Sequence, residues 1–240
     1  MAVALTAAAV LLVIVLYAIT AFSKRNFVAS AEPTPAPQET ASGGAVAGNE
    51  LVPPEIESEA ASIRASADSL TGAARAARLA EAVNLYVGRG LYQHAAEAQA
   101  DVAEAIGTSQ AWADAGNLSY RAMQEAEGQA KITYAAAAIE AYTRSLEIDP
   151  DNLDVRTDMA TAYLATNNPM EGVRQIRQVL DANPDHVQAN FNYGVMLSMI
   201  GRTDQSIAQF ERVRELVDPG SDTYRQAELA LQELRGGSPQ

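Results

Sequence analysis

Two prolines, Pro150 and Pro184, stand 34 residues apart, each closing one amphipathic run just before another begins. The first junction reads LEIDPDNLDVRTDMATAYLA from Leu146; the second reads LDANPDHVQANFNYGVMLSM from Leu180. The period extends beyond the prolines. Met159-Ala160 is matched by Tyr193-Gly194, Tyr163 by Leu197, Gly172 by Ser206, Ile176 by Phe210 and Val179 by Val213. A fixed period of this length marks a stacked pair of helices, because one pair cannot bury its apolar side alone. Pro stops each unit, since it lacks an N–H and clashes with the preceding turn. Asp149, Asp151 and Asp185 favour the restart, because acids suit a helix N-terminus.

The rest of the chain agrees with an all-α reading. Hydrophobic residues make up 48% but aromatics only 6%, so much of the apolar content is alanine, which suits close-packed helices. After Glu55, Ala, Leu, Glu, Gln and Arg recur at helical spacing, with no alternating run long enough for a strand. Ala138–Asn152 reads as the second helix of a further unit, whose first helix begins near Ser109 and holds Trp112, Ala115 and Gly116. That unit is longer by ten residues, nearly three helical turns, so lengthened helices keep their apolar face inward. Glu127-Gly128-Gln129 is the expected turn. Residues 76–108 read as a degenerate unit, 55–70 as a preceding helix, and 223–235 as a capping helix.

With those residues in place, the chain resembles the tetratricopeptide repeat (TPR) family. The family pattern of large and small residues falls on Met159, Ala160, Tyr163, Gly172, Ile176, Val179 and Pro184, and again on Tyr193, Gly194, Leu197, Ser206, Phe210 and Val213. In the second of these units the closing Pro is displaced by one, to Pro219. The resemblance implies an α-α superhelix of about four helix pairs, at residues 76–108, 109–152, 153–186 and 187–220, with the cap after them, in a domain over 55–240. In this family the first helix of each pair lines a groove that takes a peptide. Carried over by position, the groove residues are Asn117, Tyr120 and Arg121 in the second unit. They are Asp154, Thr157, Asp158 and Thr161 in the third, and Gln188, Phe191, Asn192 and Val195 in the fourth. The mixture suits a peptide with apolar anchors and some basic character. Asp and Thr stand where some chaperone-binding members carry a clamp for a C-terminal carboxylate, so that clamp is absent.

Upstream, residues 2–22 carry no charge over 21 positions, enough for a helix to span a bilayer core. No Lys or Arg precedes the run and it exceeds a usual signal core, which favours an uncleaved single-pass anchor. Ala29-Ser30-Ala31 resembles a small-residue cleavage site, so cleavage within residues 1–31 stays open. Lys24 and Arg25 follow the run, and the positive-inside rule then leans the C-terminal part to the cytoplasm, with an extracytoplasmic placement as the alternative. Residues 30–54, rich in Pro, Ala and Gly, read as a tether.

Charge and motifs bound the function. The formal net charge of -13 disfavours nucleic acid, whose binding rests on Lys and Arg meeting phosphates. There are no cysteines, which excludes disulfides, thiolate metal sites and thiol nucleophiles. His94 and His186 fall in different units and read as solvated surface residues, so no metal site is expected. No HExxH, GxSxG or phosphate-loop pattern occurs. The expectation is a membrane-tethered scaffold for protein–protein interaction, not an enzyme, with no cofactor and a peptide or protein as partner. A more specific alternative is an assembly factor of the cytochrome c maturation type. Oligomeric state is not legible.

Overall fold

The structure, a computed structural model, describes residues 52–236, and the stretches 2–22 and most of 30–54 lie outside them. Among the described residues there are ten α-helices and no strand. No helix among them is long and apolar enough to cross a membrane. They form two compact units that divide between Asn183 and Pro184.

The N-terminal unit holds α1 (Pro54–Ala67), α2 (Gly72–Val87), α3 (Tyr92–Ile106), α4 (Ser109–Glu125), α5 (Gly128–Ile148), α6 (Leu153–Ala162) and α7 (Pro169–Ala182). A 3-10 turn, Tyr163–Ala165, joins the last two. Each helix packs on the next in the chain, as in stacked hairpins. The C-terminal unit holds α8 (Val187–Met199), α9 (Thr203–Leu216) and α10 (Asp222–Gly236), packed in the same serial way. The last residues of the expected tether belong to the fold, because α1 starts on Pro54 and Val52 packs against the first core cluster.

The repeated prolines act on the residue before them. Asp149 and Asn183 end α5 and α7 with nearly the same extended backbone, φ -130° and ψ 83° against φ -141° and ψ 93°. A following proline disfavours helical geometry at that position. The restart also repeats. Asn152 accepts a hydrogen bond from the Val155 N–H at 3.0 Å, and His186, 34 residues on, accepts one from the Ala189 N–H through Nδ1 at 3.2 Å. An N-cap acceptor of this kind is worth about 0.5–2 kcal/mol. The expectation of a merely solvated His186 is therefore corrected: the ring is a cap. His94 is likewise not simply solvated, since it lies half-buried against Tyr86, with ring centroids 5.5 Å apart. Each proline carbonyl also takes a side-chain donor from the helix it precedes. Arg156 Nη2 donates to Pro150 O at 2.9 Å, and Asn190 Nδ2 donates to Pro184 O at 2.8 Å.

In three hairpins, α4–α5, α6–α7 and α8–α9, the two helices meet where one side chain is nearly absent. A Cβ on Gly116 would stand 2.5 Å from the Tyr142 ring, and one on Gly172 would stand 2.4 Å from the Ala160 carbonyl oxygen. One on Gly194 would stand 3.0 Å from the Phe210 ring. In the C-terminal hairpin Ser206 occupies the place of Gly172, and its buried hydroxyl donates to the Gly194 carbonyl at 2.7 Å. Two solutions thus close the same crossing: no side chain, or a small one that bonds the backbone it meets.

This difference predicts unequal costs. Gly172→Ala forces a methyl onto a backbone carbonyl that cannot move alone, and should lower stability by about 1–3 kcal/mol despite a better helix propensity. Gly194→Ala needs only a slight shift of the Phe210 ring and should cost clearly less. Thermal melts of the two variants beside the parent chain check the order.

Candidate groove site

One apolar cluster joins α4, α5 and α6 through Ala113, Tyr142, Leu146, Val155 and Met159. Tyr120 and Tyr163 pack at its edge. On this support stand most of the groove residues expected in the N-terminal unit. Asn117 is exposed, and its Oδ1 accepts a hydrogen bond from the Tyr142 hydroxyl at 2.9 Å. Tyr142 itself is 1% exposed, so the bond leads from the core to the surface. Tyr120 is half-buried, and burial raises its phenol pKa, with the Asp158 charge adding to the effect. Burial and then Asp158 raise Tyr142 in the same sense. The carboxylate of Asp158 on α6 is therefore felt by one phenol on α4 and one on α5.

Asp158 is the centre of this arrangement. Its surface is open to solvent, yet protein surrounds it closely. That loss of surrounding water, and then the Asp154 carboxylate one turn away, push its carboxyl up to about 7. It makes no ion pair or hydrogen bond among the described residues. Arg121 does not supply one, because its guanidinium lies 4.7 Å from the Tyr92 ring and pairs with Glu125 at 3.2 Å.

The other expected groove residues are placed differently. Thr157 is fully buried and donates its hydroxyl to Leu153 O at 2.8 Å; Thr161 is buried and donates to Thr157 O at 3.1 Å. Both hydroxyls turn back on their own helix. In the C-terminal unit Phe191 and Val195 belong to the core cluster with Phe210, Val213 and Leu231. Phe191 meets Phe210 edge-on, with centroids 5.3 Å apart. Asn192 is buried and accepts from Gln188 Nε2 at 2.7 Å, while Gln188 is half-buried. The structure thus gathers Asn117, Tyr120, Asp154 and Asp158 on one exposed face, and draws Phe191 and Val195 into a core. The Tyr142–Asn117 bond was missed by the sequence reading, although Tyr142 stands in register with Ile176 and Phe210. Among the described residues no group of three His, Asp or Glu could hold a metal ion.

A tetratricopeptide repeat family model matches residues 133–174. No curated protein matches the chain. Among solved structures it is similar to a thermophilic TPR protein in Thermus thermophilus, with 13% identity over 74% of this chain and 97% of that one, at a TM-score of 0.54. It is similar to YrrB, described as a TPR protein with an unusual peptide-binding site, with 16% identity over 73% and 84% of the two chains and a TM-score of 0.52. A third is a tetratricopeptide repeat protein from Parabacteroides merdae, with 18% identity over 67% and 60% and a TM-score of 0.51. At these identities what is shared is the fold, an array of TPR-like helical hairpins.

The raised carboxyl gives a pH test with a definite sign. The folded chain holds a proton on Asp158 more tightly than the unfolded chain does. Stability from this group therefore falls as pH rises from the usual Asp range towards 7, and is flat above it. Asp158→Asn should melt higher than the parent at pH 8, with the difference shrinking by pH 5. Solvent screening of an exposed carboxylate keeps the gain below about 1 kcal/mol. Melts at the two pH values read it.

Proposed function

We propose that this chain is a membrane-tethered interaction scaffold, and that the α4–α6 face receives a partner segment carrying apolar and basic side chains. The observation that carries the reading is the solvent-open Asp158, beside Asp154, Tyr120 and Asn117, with no cation of its own fold against it. An arriving Lys or Arg would restore the charge balance, and the phenol edge would cover its aliphatic stem. The peptide-binding site ascribed to YrrB lends support to a peptide as ligand on a fold of this kind. The reading needs no reaction and no cofactor. The uncharged run at 2–22 and the Pro-rich stretch after it are the proposed anchor and tether, with the repeats leaning to the cytoplasmic side. A tether of this sort raises local concentration at the membrane without any new contact.

Two measurements test this. A photo-crosslinking side chain at Asn117 in the full chain, in native membranes, should capture a protein partner. Asp158→Lys should reduce that capture at least about tenfold, the scale of one close charge pair. Recovery of no partner, or of the same partner at the same yield from Asp158→Lys, sinks the groove reading. For topology, a phosphatase active only after export, fused to the C-terminus, should be silent, and activity would place the repeats on the other side.

A further inference from the structure

A concavity lies away from the groove face. It has a volume of about 270 Å³ and is walled by α3, α4 and α5. At 3.6 residues per turn, Trp112, Ala115, Ser119 and Ala122 share one side of α4, while Asn117, Tyr120 and Arg121 take the opposite side. The first set floors the pocket. Part of one wall comes from the extra ten residues. Thr133 and Tyr134 precede Ala135, the position in register with the starts of α7 and α9, and both line the space together with Ala137. Tyr134 also reaches across the mouth and donates its hydroxyl to Gln93 Oε1 on α3. The lengthened hairpin, a departure from the repeat, thus extends one wall of this site.

Its chemistry is specific. The floor is Trp112, alanines and Ser119, with Ala100 and Ala137 still reaching solvent. The rim carries Glu97, Glu104 and Glu140. The one cation in the lining, Arg144, lies 4.7 Å from the Trp112 ring and pairs with Glu140 at 3.3 Å. On the opposite rim Glu97 takes only a Gln93 amide, at 3.3 Å, and Glu104 makes no ion pair or hydrogen bond among the described residues. The rim is thus acidic on the α3 side and would repel phosphates. A cavity of about 150 Å³ holds a benzene ring, so this space has room for one large side chain.

We propose that this pocket is a second docking site, on the side of α4 opposite the groove face, for a partner-protein segment that presents one large apolar side chain between Lys or Arg residues. The apolar side chain enters between the alanines. Its basic neighbours meet Glu97 and Glu104, in the way Arg144 already meets Glu140. The site is independent of the groove, so one scaffold would hold two partners or two parts of one.

Trp112 is the only tryptophan of the chain, so its emission reads occupancy of this pocket directly. The probe is a synthetic Trp-free peptide with one Phe between several Arg, titrated into the full chain. A saturable change in Trp112 emission is expected. Glu97→Gln with Glu104→Gln should weaken it at least about tenfold, and Ala137→Phe, at an exposed position, should block it. Asp181→Lys with Asp218→Lys, a larger charge change elsewhere, should leave it unchanged. A melt of each variant confirms folding, and the two blocking routes stand independently if one variant fails. The proposal is overturned by no saturable change, by equal binding of a peptide with Glu in place of Arg, or by loss with Asn117→Ala and Asp158→Asn instead. Tighter binding of a peptide spanning residues 20–31 of this chain would also overturn it. So would self-association that Ala137→Phe abolishes, because the occupant would then be this chain.

Discussion

The whole arrangement depends on how closely two helices of one hairpin can approach. At Gly116, Gly172 and Gly194 the partner helix of the hairpin, or its aromatic ring, lies where a Cβ would otherwise be. Close approach lets Tyr142, Ile176 and Phe210 bury completely at the crossings. Those are the largest fully buried side chains of their hairpins, and interior packing of this density is intolerant of added volume. An aromatic-poor, alanine-rich chain has few such anchors to place. The ones it has therefore recur at the repeat.

Much of this was legible in the letters. Pro150 and Pro184 announced the period, and the small residues at Ala160, Gly172 and Gly194 announced the crossings. The turn at Glu127-Gly128-Gln129 and the two long helices around it also followed from counting, because ten residues are nearly a whole number of turns. What was not legible is which side chains hydrogen-bond across a hairpin. The Ser206 hydroxyl on the Gly194 carbonyl is one case, since serine there looked only small. The Tyr142–Asn117 bond is another, since it lies in the hairpin whose spacing is irregular.

The expected groove residues divide by a physical rule that position alone does not contain. Position along a repeat says which side of a helix a residue occupies. It does not say whether that side is already covered. Thr157 and Thr161 share α6 with Asp154 and Asp158, yet the hydroxyls satisfy themselves on the preceding turn and the threonines are buried. A short side chain that can bond its own helix tolerates burial. A carboxylate cannot do so without a partner, and stays at the surface.

The C-terminal unit makes the same point from the other end. There α10 covers the apolar face of the α8–α9 hairpin, supplying Ala227, Ala230, Leu231 and Leu234 to one cluster with Phe191 and Val195. Residues that would be groove anchors in an internal unit become core in a capped one. The expected groove residues that stay open to solvent are therefore in the N-terminal unit, on α4 and α6. There the carboxylates are open, the phenols are near, and the lengthened hairpin leaves both sides of α4 shaped. The stacking that stabilises the repeats thus also decides which of their residues remain able to meet a partner.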